Sequence, residues 1–534
     1  MEKSKSPNSV SHKNTASYDL IIIGGGPGGY HAAIRAAQYG AKVALIEKDK
    51  VGGTCLNRGC IPTKTLYSSA KLLEDIRNKS FKFGIDLLDE PKVNIKRVVQ
   101  FKNELISKMV SDIEALLKKN EVDLYHGFGT INGGNITSGF DICVNGNASI
   151  STKISGKRVI LATGSTPALI SQFNIDHERI LTSDDILAPE FQIVPETLLI
   201  IGGGVIGCEF AYIFSQLGSK VIILEYLDSI LATEERSIVK ELKKKFNTMN
   251  IEIHETINCL NVQNNGKRIE ACTCSSKLPP DQIEAAEKTY FQADYCLVSI
   301  GRAKFTNNLG LENTQIQTER GQIVVNPLTL ETEEPGIYAI GDVTGGLMLA
   351  HVASYEGDVA VHNALATIAD FDIEPMRPTY DVVPAAVFTN PEIASVGLKE
   401  KSARALGYNV FIGRFSYAAL AKAKSEGEEE GFMMVIGDQE TDEILGASCI
   451  GAEAPELIAE LALAINNNLT IHDITRTVHS HPTMSELVLE ACEDIYGLSI
   501  HKARRRREPT IYDLEISPEI MVAYIFSNLE KITE

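Results

Sequence analysis

Tyr18-Asp19-Leu20-Ile21-Ile22-Ile23-Gly24-Gly25-Gly26-Pro27-Gly28-Gly29 is the stretch that decides the fold. Asp19 to Ile23 is a short apolar run with β-branched bias, the composition of a strand buried on both faces of a parallel sheet. The turn Gly24-x-Gly26-x-x-Gly29 follows at once. Tyr30 to Gln38 then has helical composition, and a second strand from Lys42 to Ile46 ends on Glu47. Strand, glycine turn, helix, strand and terminal acid in this order form a dinucleotide fingerprint. Gly24 permits the tight turn, Gly26 lets the backbone approach a pyrophosphate, and Gly29 lets helix and strand pack closely. The helix N-terminus offers unpaired N–H groups to phosphate, and Glu47 is placed to accept from a ribose hydroxyl.

The unit recurs. Leu198 to Ile201 leads into Gly202-x-Gly204-x-x-Gly207, then a helix through Phe210 to Phe214, then a strand from Lys220 to Leu224 ending on Glu225. Two dinucleotide folds imply two dinucleotides. A carboxylate at the second strand end binds a free 2′-hydroxyl and repels a 2′-phosphate. Tyr226-Leu227-Asp228 follow with no arginine, so the second site is expected to prefer NAD over NADP. Two further strand-to-glycine turns, Val159 to Gly164 and Ile337 to Asp342, stand between and after these units. The first reads as the chain leaving one domain for the next. The second puts Asp342 at a strand end, where an acid caps a helix more often than it binds a ligand.

Gly52-Gly53-Thr54-Cys55-Leu56-Asn57-Arg58-Gly59-Cys60-Ile61-Pro62-Thr63-Lys64 lies between the two fingerprints. Two thiols this close can join without distant chain closure. Ile61-Pro62 reads as a helix start, because Pro is favoured in a first helical turn. A thiolate at Cys60 then sits at the positive end of a helix, which lowers its pKa. An inert buried pair is the bland alternative, and the flanking nucleotide sites argue against it. The pair is expected to be redox-active.

Composition narrows the class. Lys+Arg of 51 against Asp+Glu of 70 gives a net charge of −19, which makes nucleic acid and anionic membrane poor partners. No apolar run approaches the ~20 residues of a membrane span. Residues 1–17, rich in Ser, Lys and Asn, are expected to be a disordered tail rather than a signal peptide. The other eight cysteines are scattered through apolar or strand-like contexts, which suits a reducing compartment, with the cytoplasm expected. Cys272-x-Cys274 lacks a second ligand pair and reads as packing, so no metal site is expected.

These segments together resemble the flavin-dependent pyridine nucleotide–disulfide oxidoreductases, from about Tyr18 to about Tyr496. Further carriers are Leu349-Ala350-His351, Thr389-Asn390-Pro391-Glu392 and His479-Ser480-His481-Pro482-Thr483-Met484-Ser485-Glu486. Within the family the motifs are most similar to members that oxidise dihydrolipoyl groups with NAD⁺. The resemblance implies an α/β chain of two Rossmann-like domains, one for FAD and one for NAD, with a C-terminal α+β dimerisation domain. It places FAD in the first fold, with Glu47 on its ribose and Asp342 on its ribityl chain. It implies Cys60 as the flavin-side thiolate, Cys55 as the sulfur that exchanges with substrate, and Lys64 beside the flavin with Glu209 as its partner. Gly53, Thr54, Gly164 and Ala350 join Gly24, Gly26 and Gly29, and Gly301 joins Gly202, Gly204, Gly207 and Glu225, in the cofactor-binding set. His481, oriented by Glu486, is implied as the base, supplied across a homodimer. The partners implied are lipoyl domains of 2-oxo acid dehydrogenase complexes or a glycine cleavage H-type protein. The head is too short for a fused lipoyl domain, so the dithiol is expected either on a separate protein or as a free dithiol.

The expected division is an FAD-binding part at 18–166 returning at 301–375, an NAD-binding part at 167–300, an interface domain at 376–500 and an extension at 501–534. Some segments depart from the family pattern. Gly301-Arg302-Ala303-Lys304-Phe305-Thr306 lacks the usual proline and asparagine, and Ala418 to Lys424 lacks the usual Asn-Ser-Arg; neither is expected to touch the chemistry. Ser275 to Tyr290, with Pro279-Pro280 at its centre, reads as an extended hairpin tip. The extension carries Arg504 to Arg507 and the apolar run Ile520 to Phe526, which read equally as a docking segment or a surface helix. Reductases of another small disulfide or of mercuric ion are the competing enzymes. Glu225 argues against the NADPH-dependent ones, and the lack of cysteine after Cys492 against those with a C-terminal pair. A nucleotide-binding scaffold without turnover is disfavoured because Cys60 and His481 are both present.

Overall fold

The computed structural model describes residues 16–146 and 151–503. The arginine cluster and apolar run of the extension lie outside the described residues. Two compact units are present: one runs to Val383 and includes Val387–Asn390, the other includes Pro384–Ala386 and the chain from Pro391.

The first unit begins with β1 (Ala16–Ile23), α1 (Pro27–Gln38) and β2 (Val43–Glu47). Ala16 and Ser17, placed in the tail by the sequence reading, already pair with Ile154 and Ser155. Their ladder partners lie far along the chain, so no local pattern marks them as strand. Next come α2 (Gly53–Arg58), α3 (Cys60–Lys79), α4 (Ile95–Lys119), β3 (Asp123–His126), β4 (Phe128–Asn135), β5 (Gly139–Asn145) and β6 (Ser151–Leu161). The sheet runs β3-β2-β1-β6-β5-β4, and β1 pairs parallel with β2 and β6. Alternation along β1 fills two cores: Leu20 and Ile22 pack with residues of α1, and Ile21 and Ile23 with Ile131, Phe140 and Ile142 on the other face. This two-sided burial is why the run reads as continuously apolar.

A short strand β7 (Ser165–Pro167) leads to β8 (Ile180–Leu181), α5 (Ser183–Leu187), β9 (Thr197–Ile201), α6 (Val205–Leu217), β10 (Lys220–Leu224), α7 (Arg236–Thr248) and β11 (Ile251–His254). A three-stranded antiparallel layer follows: β12 (Ile257–Asn264), β13 (Ile269–Ser275) and β14 (Thr289–Ala293). The predicted hairpin tip links β13 to β14. With β15 (Tyr295–Val298), the second parallel sheet runs β11-β10-β9-β15-β8. The chain returns through β16 (Arg302–Lys304), which pairs with β7, then β17 (Thr318–Glu319), β18 (Gln322–Ile323), β19 (Ile337–Ala339) and α8 (Ala350–Ala366). Strand β6 is shared along its far edge: residues 151–156 pair antiparallel with β5, and residues 159–161 pair parallel with β19. That sharing delivers Asp342 to the same sheet edge as the first glycine turn.

The second unit is an antiparallel sheet with helices. Its elements are β20 (Ala385–Val387), β21 (Ile393–Gly397), α9 (Glu400–Ala405), β22 (Val410–Ser416), α10 (Ala421–Glu426), β23 (Phe432–Asp438), β24 (Ile444–Ile450), α11 (Ala454–Asn466), α12 (Ile471–Thr475) and α13 (Glu486–Ile495). The order is β20-β21-β24-β23-β22. Helix α13 rests directly on β22, where a Cβ added at Gly413 would meet Ala491 O at 1.9 Å. No helix among the described residues is long and apolar enough to cross a membrane.

Candidate active site

Both glycine turns are built alike. Gly24 and Gly202 take positive φ (108° and 104°), and a Cβ on either would strike the neighbouring strand, Ala162 O at 2.2 Å and Ser299 O at 2.5 Å. A Cβ on Gly29 or Gly207 would strike the carbonyl of its own first glycine, at 1.8 and 2.0 Å. The middle glycines differ: Gly204 meets nothing within 4 Å, and Gly26 only Gly53 Cα at 3.9 Å. Neither α1 nor α6 has a side-chain cap at its start. Open space over uncapped helix N–H groups fits the pyrophosphate of a dinucleotide, so these residues fit FAD at the first turn and NAD at the second.

Glu47 and Glu225, the acids at the two strand ends, are already engaged with backbone N–H groups. Glu47 accepts from Gly25 N at 2.7 Å and Asp49 N at 2.8 Å. Glu225 accepts from Gly203 N at 2.6 Å and Leu227 N at 2.7 Å. Each carboxylate therefore ties its strand end to the glycine turn, with lone pairs left over.

The dithiol segment splits into two helices. Cys55 lies on α2, and Cys60 is the first residue of α3, after Gly59. The helix thus starts one residue before the predicted Ile61-Pro62. Gly53 takes φ 54°, and a Cβ there would lie 2.6 Å from Gly26 Cα, so α2 abuts the phosphate turn itself. Both cysteines are free thiols. A hydrogen bond from Cys55 is the main cause that brings the Cys60 thiol down to about 7; burial opposes it and the Lys64 charge assists. The same hydrogen bond, with burial, pushes the Cys55 thiol well up. The negative charge therefore settles on Cys60.

Lys64 Nζ reaches Glu209 Oε1 at 2.8 Å and Oε2 at 2.9 Å. Glu209 also accepts from Phe388 N at 3.0 Å, and the Lys64 ammonium lies 4.4 Å from the Phe388 ring centroid. A carboxylate this buried, at 3 % exposure, requires such partners. Asp342 lies in a tight turn after β19 and accepts from Ser165 Oγ. Arg302 Nε stands 3.8 Å from Asp342 and donates to Ser165 Oγ at 2.7 Å, while its Nη2 reaches Thr54 Oγ1 at 3.4 Å. The pairing of β16 with β7 carries Arg302 across to α2. Gly164 and Gly301, with φ 69° and 121°, have open space where a Cβ would point. Ala350 begins α8 as expected. Glu356, which no motif signalled, accepts from Gly341 N at 2.6 Å and steadies that turn.

In the second unit, His481 Nδ1 meets Glu486 Oε1 at 2.8 Å, and Thr483 N donates to Glu486 Oε2 at 3.0 Å. Glu486 is the first residue of α13. Although burial works against it, these hydrogen bonds hold its carboxyl below the usual range. His479 is different. Its Nε2 meets Glu460 at 3.0 Å, its Nδ1 meets Thr477 O at 2.9 Å, and its side chain is 5 % exposed against 66 % for His481. Both nitrogens of His479 are spent, whereas His481 offers Nε2 outward.

Two family models match the chain: pyridine nucleotide-disulphide oxidoreductase over residues 18–357 and the dimerisation domain of that family over 383–492. The chain is similar to a dihydrolipoyl dehydrogenase of Bacillus subtilis, 40% identical over 490 residues, 91% of this chain and 99% of the relative. It is also similar to a mitochondrial dihydrolipoyl dehydrogenase of Dictyostelium discoideum, 36% identical over 490 residues, 91% and 96%. Among solved structures, LpdA of Mycobacterium tuberculosis matches with a TM-score of 0.80 at 26% identity, covering 90% of this chain and 99% of that one. The HOCl-induced flavoprotein disulfide reductase RclA of Escherichia coli matches with a TM-score of 0.76 at 27% identity, covering 89% and 99%.

Proposed function

The chain belongs to the pyridine nucleotide-disulphide oxidoreductases, and from that membership we propose that it oxidises dihydrolipoyl groups with NAD⁺. The observation that carries this reading is the placement of the two thiols, Cys55 on α2 and Cys60 at the head of α3, four residues before the Lys64 that Glu209 holds. In the oxidised enzyme the two sulfurs form a disulfide. His481 of the partner subunit, oriented by Glu486, takes a proton from one substrate thiol at Nε2. The substrate thiolate attacks Cys55 Sγ, the Cys55–Cys60 bond breaks, and Cys60 leaves as thiolate. Attack on Cys55 is favoured because the sulfur of lower pKa leaves faster. The second substrate thiol then attacks the mixed disulfide, freeing Cys55 and closing the lipoyl disulfide. Two electrons and two protons have passed from substrate to enzyme. FAD, when bound, supplies the carrier between this dithiol and NAD⁺. Lys64, held by Glu209, presents its side chain one helical turn from Cys60.

The remaining assignments belong to the same reading. The first glycine turn, Glu47, Thr54, Gly164, Asp342 and Ala350 serve FAD; Gly202, Gly204, Gly207, Glu225 and Gly301 serve NAD. The domain division of 18–166 with 301–375, 167–300 and 376–500 follows from these roles. The enzyme works as a homodimer in the cytoplasm, on lipoyl groups carried by 2-oxo acid dehydrogenase complexes or an H-type protein. The test is a side-by-side assay of the purified flavoprotein with dihydrolipoamide, glutathione disulfide and Hg²⁺. Dihydrolipoamide is expected to be the fast substrate. Rapid turnover of either alternative, with none of dihydrolipoamide, overturns the substrate assignment.

A further inference from the structure

Glu74 is a buried carboxylate on α3, ten residues after Lys64, which the chemistry above does not use. Its Oε2 accepts from Tyr212 Oη at 2.9 Å and from Asn390 Nδ2 at 2.8 Å, and its Oε1 lies 3.6 Å from Lys245 Nζ. Tyr212 is fully buried on α6, three residues after Glu209. The Tyr67 ring stands between the two ends of this arrangement, 5.5 Å from Tyr212 and 6.0 Å from Phe388. Phe388, two residues before Asn390, is the residue whose N–H and ring meet Glu209 and Lys64.

These contacts close a circuit. Helix α3, which begins at Cys60, is tied to α6, which begins at the second glycine turn, by Lys64–Glu209 and by Glu74–Tyr212; the anchors lie about 15 Å apart along α3 and about one turn apart on α6. The segment 388–390 is tied to both ties. Two helices pinned at one point can still pivot; pinned at two they cannot. A buried carboxylate is expensive to keep for stability alone. We propose that Glu74 is a positioning residue that, through Tyr212 and Asn390, locks the dithiol helix to the nucleotide helix and so fixes the Lys64–Glu209 pair for electron passage to NAD. Asn390, part of a motif singled out in the sequence, thereby gains a role. The proposal rests on the assignment of the second glycine turn to NAD.

Glu74→Leu leaves two buried donors without an acceptor and risks misfolding, so the primary variant is Tyr212→Phe, which removes one hydrogen bond and no volume. Holoenzymes are compared by rapid mixing, following flavin reduction by NADH and, separately, by dihydrolipoamide. Tyr212→Phe is expected to slow the NADH step about fivefold, the effect of one buried hydrogen bond, and to leave the dihydrolipoamide step unchanged. Glu74→Gln keeps an oxygen for both donors and is expected to retain the NADH step. Tyr212→Phe with lowered thermal stability but both steps intact, or with both steps slowed equally, overturns the proposal, as does a Glu74→Gln variant whose NADH step is slowed as much as that of Tyr212→Phe. If dihydrolipoamide fails to reduce the flavin of the unmodified enzyme, the substrate reading fails, and the NADH step still judges the brace.

Discussion

The two sulfurs of the dithiol are chemically unequal because of where the chain puts them, one on a short helix and the other at the start of the next. In Cys55→Ser holoenzyme the Cys60 thiolate should persist, aided by the Lys64 charge, giving a long-wavelength absorbance that grows as pH rises and the thiol ionises and fades as pH falls. The reciprocal Cys60→Ser should lack the band at every pH. A band in the second variant and none in the first would mean the sulfurs are swapped. The two histidines divide in the same way. His481→Gln should keep FAD and flavin reduction by NADH, yet lose dihydrolipoamide turnover by about 10²–10⁴, the usual cost of a missing general base. His479→Gln should leave that turnover within a few-fold and lower the melting temperature, since His479 is a buried partner of Glu460. Similar losses of turnover in both variants would overturn the assignment. The Pro-Thr that follows His481 singles it out in the sequence, and the structure adds that both ring nitrogens of His479 are engaged internally.

Glycine turns and strand ends act as elements, not as isolated residues. Gly53→Ala forces a Cβ to within 2.6 Å of Gly26 Cα at a positive φ. It should therefore weaken FAD retention, read as faster release of flavin fluorescence from the holoenzyme, while the second fold still binds NADH. Unchanged flavin release would show that α2 and the first turn can separate. At the second strand end, steady-state rates should favour NAD strongly over NADP, because the carboxylate of Glu225 repels a 2′-phosphate. Equal rates would refute this. Glu225→Arg is a poorer test than the sequence suggests. The carboxylate also holds Gly203 N and Leu227 N, so the exchange breaks the turn as well as the specificity.

At the scale of the whole molecule, the base and the dithiol lie in different compact units, and the proposed dimer supplies one to the other. A heterodimer of Cys55→Ser with His481→Gln chains settles this. If the base crosses the dimer, one of its two sites keeps both groups, and about half of normal activity returns although each homodimer is inactive. If the base acts within its own chain, both sites carry a lesion and the mixture stays inactive.

The two dinucleotide folds, the close contacts of their first and third glycines and the dithiol helix were legible from contiguous residues, because strand periodicity, turn chemistry and helix starts are local properties of the chain. The resemblance of the long motifs extended that reading to cofactors and to His481. Other features depend on residues that meet only after folding. The Lys64–Glu209 pair, 145 positions apart, came from the resemblance alone; Ala16 and Ser17 become strand because residues 154–155 pair with them, and Arg302 reaches Thr54 because β16 lies beside β7. The carboxylates of Glu47 and Glu225 turn out to brace their own turns. Which polar groups are spent internally and which face outward is set by burial and by long-range pairing. No spacing along the chain carries that information, so only the tertiary structure could decide it.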